Sequence, residues 1–293
     1  MTVINTNNAA NNTYRLMSES SDAAAKNMEK LSSGLRINRA ADDAAGLSIA
    51  EGLKSQSNGL EVASRNAQDA INMIQTAEGG LSSAHEILQR VRDLAVQAGN
   101  DSNNAEARTA IATEINALGD ELVRMGNSIN FNGTKLLGTP TADAGVDGNR
   151  PASLSFQVGA NATNDQITVD LDADLVAIGT AIKAFGTDGT TDGGSLITDS
   201  GTAAAAITAI DTQISTVSSA RSSLGADQNR LEHTIKHVNV AAENLTAAES
   251  SIRDVDMAKE MVELSANNIK TQASQAMLAQ ANQSTQGILQ LLR

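Results

Sequence analysis

From Asp43 to Gly99, apolar residues recur at steps of three and four: Leu60, Ala63, Ala67, Ala70, Ile74, Ala77, Leu81, Ala84, Leu88, Val91, Ala95 and Ala98 hold the register without a miss. That is the spacing of a coiled-coil seam. At about 1.5 Å per residue it predicts one helix roughly 80 Å long, against a mean globular helix of about 11 to 12 residues. A rod of that length cannot be roofed by a compact domain. Much of the seam is Ala, so partner helices must approach closely, giving a slender bundle without a thick core for a ligand.

Before the rod, Met17, Ser21, Ala24, Met28, Leu31 and Leu35 form a weaker seam. It stops at Gly34, a C-terminal cap with Leu35 as its apolar contact, and Asp42 or Asp43 is the expected N-cap of the rod. Gly46, Gly52, Gly59, Gly79 and Gly80 each weaken the rod and imply close helix packing. After the break at Gly99, Asn103 with Glu106 resembles a capping box. Ile111, Ile115, Leu118, Leu122, Met125 and Ile129 then mark a second helix folded back on the first.

The period changes at Asn130. Phe131-Asn132-Gly133-Thr134 is turn chemistry, and Leu154 to Val158 and Ile167 to Leu171 alternate as strands. Between Thr139 and Thr202 there are nine Asp against Arg150 and Lys183 alone, which reads as an exposed, marginally structured segment with little to pack; residues 141 to 150 have turn composition. A third seam runs from Ala203 through Ile207, Ile210, Ile214, Val217, Leu224, Leu231, Ile235, Val238, Ala242, Leu245 and Ile252, interrupted by Arg221, Gln228 and Glu249. The last helix, about Val255 to Leu292, is rich in Gln, Asn, Met and Ala, and its apolar surface is too diffuse for one internal partner.

The expected fold class is mainly α: a long coiled-coil-like helical hairpin bundle with a small β-containing insertion. Residues 1–42 and 253–293 are terminal helices, 43–138 and 203–252 the long-helix bundle, and 139–202 a short exposed acidic insertion. Both termini are expected at one end, with the insertion at the other. Leu60, Ile74, Leu81, Leu88, Ile115, Leu122, Leu224, Leu231, Val238 and Leu245 are the expected core. The terminal segments lack a complete internal seam. They are therefore expected to be largely disordered in the monomer and to order by burial between subunits.

Composition narrows the function. One Tyr, three Phe and no Trp leave little for an aromatic ligand pocket, and no Cys excludes disulfides, thiolate metal sites and thiol nucleophiles. A net charge of −13 without a basic face argues against nucleic acid and anionic membranes. No apolar run approaches the roughly 20 residues of a membrane span, and Met1 to Asn12 is too polar for a Sec-type signal. His233 and His237 share a helix face but lack a third ligand. Asp170, Asp172 and Asp174 imitate a calcium loop, with Leu175 where Gly is needed and Ala181 where the bidentate Glu belongs. No catalytic residue, metal or cofactor is assigned, and the chain is read as a non-enzyme.

Four stretches carry a resemblance: Lys30-Leu-Ser-Ser-Gly-Leu-Arg-Ile-Asn38, Ala41-Asp-Asp-Ala-Ala-Gly-Leu47, Ile129-Asn-Phe-Asn-Gly-Thr-Lys-Leu-Leu137 and Met277-Leu-Ala-Gln-Ala-Asn-Gln283. With these the chain resembles bacterial flagellins over roughly residues 1–138 and 203–293. The resemblance implies a structural subunit, secreted by flagellar type III export, that forms a homo-polymer through its terminal helices as the extracellular flagellar filament. It further implies an export chaperone, cap and hook-associated proteins as partners. Leu88-Gln-Arg-Val-Arg-Asp-Leu-Ala-Val-Gln97 with Glu114 is similar to the segment by which the host flagellin-sensing Toll-like receptor recognises family members. Its contact residues fall on Arg90, Leu94 and Glu114, with Gln89, Arg92 and Gln97 beside them. Because Leu88 and Val91 belong to the seam, Arg90 and Leu94 are expected to face outward and to form one patch with Glu114 that also serves assembly. Two alternatives share the pattern: a hook-filament junction protein and, from another class, a coiled-coil signalling hairpin.

Overall fold

The computed structural model describes residues 7–140, 151–161, 165–186 and 200–291. Helix α1, Asn8–Ser33, is started by Asn7, whose side-chain oxygen accepts from Ala10 N at 3.0 Å. It ends at Gly34, where φ of 73° carries the chain through the left-handed region that glycine adopts without cost, and the Gly34 N–H donates to Lys30 O at 2.8 Å. Asp43 is the cap of α2, Ala44–Ala98: its Oδ1 accepts from Gly46 N at 2.9 Å. Asp42 instead ties the preceding loop, its Oδ2 accepting from the N–H groups of Asn38 and Arg39.

Helix α3, Ala105–Ser128, is capped one residue later than the sequence pattern implies. Asn104 accepts from Ala107 N at 2.8 Å, while the Asn103 amide reaches back to Gln97 O at 2.6 Å. A tight hairpin follows, β1 (Asn130–Phe131) with β2 (Thr134–Lys135), whose turn residues Asn132 and Gly133 have φ of 49° and 84°, the pair of positive values that an Asn-Gly hairpin turn requires. Strands β3 (Ser153–Gln157) and β4 (Gln166–Asp170) pair antiparallel, Ser155 opposite Thr168. Then come α4 (Leu175–Lys183), α5 (Ser200–Arg253) and α6 (Met257–Leu291).

The chain divides into two compact units, Met1–Ser57 with Glu243–Arg293, and Asn58–Ala242. In the Asn58–Ala242 unit, α2, α3 and α5 bury a common core. Leu81, Leu88, Ile115, Leu122 and Leu231 are fully buried, and Leu60, Ile74, Leu224 and Val238 nearly so. Between these large residues, Ala67, Ala70, Ala77, Ala84, Ala95 and Ala98 are sealed off from solvent. Arg221, one of the polar interruptions of the third seam, donates to Glu78 at 2.8 Å and so pairs α5 with α2. Gly80 packs under Ile129 and Leu137, but Gly52 and Gly79 have no neighbour within 4 Å of where a Cβ would sit, so close packing does not account for those two.

The acidic segment is not the poorly packed insertion that its composition suggests. Leu175 and Ile182 are fully buried, and Val169, Leu171, Ala173 and Ile178 nearly so, all in the same core as the long helices. Asp174, seen in the sequence as an imitation calcium ligand, caps α4 by accepting from Val176 N and Ala177 N, both at 3.0 Å. Helix α4 lies on α3 at a glycine pair: a Cβ on Gly179 would stand 2.8 Å from Gly119 O, and one on Gly119 3.1 Å from Gly179 O. The expected turn at 141 to 150 lies outside the described residues.

In the other unit, α1 and α6 pair antiparallel. The Asn7 amide donates to Ala281 O at 3.1 Å, and Lys30 meets Glu260 at 3.7 Å. The breaks beside this pair are joined to each other: Leu35 bridges Asp254, Arg36 N donates to Arg253 O at 2.7 Å, and Val255 N to Gly34 O at 3.1 Å. Two expectations are corrected here. Both terminal segments are helical in the single chain, because each supplies the other with a facing side. Leu245 is only half-buried, in a part of α5 that meets α2 partly through the hydroxyls of Ser57 and Thr246, 3.1 Å apart.

Candidate functional site

Two surfaces stand out, one in each unit. The first is the α1 and α6 pair, whose shared seam mixes apolar with small and polar residues. Met17 and Leu31 on α1 and Leu264 and Leu278 on α6 are half-buried there, and between them Thr13, Ser20, Ala24 and Asn27 on α1, and Glu260, Asn267, Thr271 and Ser274 on α6, are also at least half-buried. Near one end of the pair, Asn27 and Glu260 are each 6% exposed. The Asn27 amide nitrogen donates to Glu260 Oε1 at 3.1 Å and to Ala23 O at 3.0 Å, and Lys30 balances the carboxylate. The expected α1 seam holds at Met17, Ala24 and Leu31, but Ser21 and Met28 give way to their neighbours Ser20 and Asn27. Met28 points outward at 58% exposure. With it, Tyr14, Leu16, Met257, Met261, Val262, Ile269 and Met277 all lie open to solvent, between 48% and 69% exposed. Isolated apolar residues on a surface need no explanation, but a run of them on two paired helices marks a surface built to be covered.

The second surface is on α2 and α3. Arg90 donates through Nε at 3.0 Å and Nη2 at 2.7 Å to Glu114 Oε1, both side chains about half exposed. Gln89 is exposed and lies 2.9 Å from His85 Nε2, and Gln97 is exposed as well. Arg92 is turned toward α5, donating to Asp211 at 2.6 Å; that hydrogen bond raises the guanidinium above its usual range. Leu94 does not belong to the exposed patch. It is 2% exposed and part of the core. The reason is the width of the buried stripe. Helix α2 packs against α3 and α5 at once, so its apolar face spans more than a strict two-helix seam, and Leu94, one turn from Val91 and from Ala98, falls inside it.

Next to Arg90 a groove of about 830 Å³ runs between α2 and α3, floored by Ile87, Leu118 and Met125 and open beside Gly79. Arg124 and Glu121 on its rim pair at 2.5 Å, which holds the Glu121 carboxyl below its usual range. Among the described residues no cluster of three His, Cys, Asp or Glu could hold a metal ion, and no helix is long and apolar enough to cross a membrane. His233 and His237 are exposed on α5.

Asn27 and Glu260 were missed by sequence reasoning, although Asn27 stands at seam spacing between Ala24 and Leu31. A search for apolar residues alone steps over it.

Comparison with known proteins gives a consistent picture. Residues 4–140 match the family model described as the bacterial flagellin N-terminal helical region, and residues 207–292 the bacterial flagellin C-terminal helical region. Flagellin of Bacillus subtilis (strain 168) is 52% identical, covering 99% of this chain and 99% of its own. A flagellar filament 33 kDa core protein of Treponema phagedenis is 44% identical over 99% of this chain and all of its own. Among solved structures, that of a putative flagellar hook-associated protein from Vibrio parahaemolyticus shares the fold, with a TM-score of 0.55 at 18% identity over 73% of this chain and 100% of that one.

Proposed function

The chain belongs to the bacterial flagellins, subunits of the extracellular flagellar filament, and from that premise we propose that α1 and α6 form its polymerisation surface. The observation that carries this is the uncovered apolar face. The two helices bury only a narrow seam of mixed polar and apolar residues between them, while Tyr14, Leu16, Met28, Val262, Ile269 and Met277 remain uncovered. Other subunits of the homo-polymer are the occupants that cover them, and burial of this apolar area drives assembly. The role is structural and not enzymatic. Export chaperone, cap and hook-associated proteins are the further partners this surface serves, since each must meet the same exposed helices before or at the growing end.

Seeded polymerisation watched by negative-stain microscopy tests the reading. Wild-type protein should extend seeds into long tubes of uniform width, and Val262→Asp with Ile269→Asp should keep its helicity and fail to extend them. Short, few-copy assemblies in place of tubes would favour a hook-filament junction protein, and discrete dimers a signalling hairpin. Extension by the double variant at the wild-type rate would overturn the assignment of the surface.

A second reading concerns the host Toll-like receptor. The hydrogen-bonded Arg90 and Glu114, flanked by exposed Gln89 and Gln97, form a rigid polar patch that a protein partner can read by charge-assisted hydrogen bonds. Leu94, buried in the core, is not part of this patch. Arg90→Ala with Glu114→Ala should lower receptor signalling by monomer and leave its fold intact; unchanged signalling would remove the receptor role.

A further inference from the structure

Sulfur in this chain is all thioether: there is no Cys, and there are eight Met. Their placement is uneven. Met73 and Met125 are half-buried and packed against the core of the Asn58–Ala242 unit, and Met17 is half-buried in the seam of α1. Met28, Met257, Met261 and Met277 are between 48% and 62% exposed, and all four sit on α1 and α6. Met257 and Met261, one turn apart, share a face of α6. In the antiparallel register that sets Asn27 against Glu260, Met28 lies at the same end of the pair.

We propose that Met28, Met257, Met261 and Met277 form an oxidation-sensitive modification site, converted to sulfoxides by hydroperoxides in the unassembled chain and shielded once the subunit is built into the polymer. This rests on the reading of α1 and α6 as the polymerisation surface. Chemically, the thioether sulfur attacks the terminal oxygen of the hydroperoxide, an S–O bond forms as the O–O bond breaks, and the departing hydroxide or alkoxide takes the proton from the new S–OH group to leave as water or an alcohol. Sulfur loses two electrons and the peroxide gains them. The product replaces a flexible apolar side chain with a polar, chiral one. Burying its oxygen between subunits without a donor opposes the desolvation that drives assembly. No competing thiol consumes the oxidant first. A reductase that draws on two thiols reverses the step, forming a disulfide in the reductant and water. Export-competent monomer is then the vulnerable state and the finished filament the protected one.

The test treats monomer and filament with hydrogen peroxide at equal subunit concentration and measures sulfoxide at each methionine by peptide mass spectrometry. In monomer, the four exposed residues should oxidise several-fold faster than Met73 and Met125; in filaments they should fall to the rate of those two or below. Oxidised monomer should then show a critical concentration for seeded growth raised about tenfold or more, equivalent to about 1.4 kcal/mol per subunit. Methionine sulfoxide reductases A and B with dithiothreitol should restore growth. A variant with Leu at all four positions, near in volume, should polymerise after peroxide as well as before it. If it fails to assemble at all, the reductase rescue of wild type still decides. Protection in filaments combined with normal growth of fully oxidised monomer would overturn the proposal and leave the polymerisation surface standing. Equal oxidation of the four in filament and monomer would overturn the surface itself, and the proposal with it.

Discussion

Leu94 separates two ways of reading the same helix, and its truncation should show which is right. The side chain is 2% exposed among Val91, Ala95 and Ala98. Leu94→Ala removes three carbons from this core, about 2.4 kcal/mol at about 0.8 kcal/mol each. The cavity left behind adds to this, because a bundle seamed with Ala has few long side chains able to swing in. Together these give about 3 to 4 kcal/mol, within the roughly 2 to 5 seen for buried Leu-to-Ala changes. For a unit the size of Asn58–Ala242, at about 2 to 4 °C per kcal/mol, the melting midpoint should fall by about 6 to 16 °C. Arg90→Ala breaks a solvent-exposed pair and should cost about 0 to 1 kcal/mol. Leu94→Met, which keeps the volume, should cost less than about 1.5 kcal/mol. Thermal melts followed by circular dichroism give all three numbers. Should Leu94→Ala melt with wild type while losing receptor signalling as fully as Arg90→Ala, Leu94 would be a surface contact and the width argument for α2 would be wrong.

Other expectations follow from named contacts. Gly179→Val would drive side-chain atoms into Gly119 O and Val123, so α4 should detach from α3, detected as faster hydrogen exchange in 175–183 with α1 and α6 unchanged. Asn27→Leu with Glu260→Leu should raise the helicity of the terminal pair, yet lose a single register and slow seeded growth, since one buried polar pair specifies alignment at a cost in stability; equal or faster growth would show that the pair does not set the register. The Asp42 carboxyl is held below its usual range chiefly by the Arg39 N–H, so its stabilising contribution is present above about pH 4, the ordinary titration range, and is lost as pH falls through the depressed value. Asp42→Asn should accordingly lower stability at pH 7 and flatten the acid side of the profile, which urea titrations across pH 2 to about 7 would reveal.

How much was legible in the sequence depended on whether periodicity or local chemistry decided the element. Helix α2 was visible from its long seam of regular spacing beginning at Leu60, and Gly34 and the Asn132-Gly133 turn were visible because each residue type meets a backbone requirement that few others can; the N-cap was narrowed to Asp42 or Asp43, and only the local hydrogen bonds choose between them. Helix α4 was not. Its nine residues were averaged into an acidic segment, although Leu175, Ile178 and Ile182 stand at helical spacing behind Asp174 as a cap. Leu94 was misplaced because one helix packed by two neighbours has a wider buried stripe than the two-helix seam used to read it. Asn27 and Glu260 were invisible for a different reason: which residues face each other across a pair is settled by the partner, and a polar residue at a facing position looks like any surface residue until the partner is known.

The alanines sealed into α2 have a mechanical consequence. A methyl group has no rotamers to exchange, so Ala67, Ala70, Ala77, Ala84, Ala95 and Ala98 hold the helices at their closest approach with no slack to take up when the bundle is bent or twisted. Longer side chains would absorb strain by changing conformation; these transmit it. For a subunit of a filament used in motility, that makes α2 a stiff member, one in which strain applied at one end is delivered along the backbone instead of being lost in the packing.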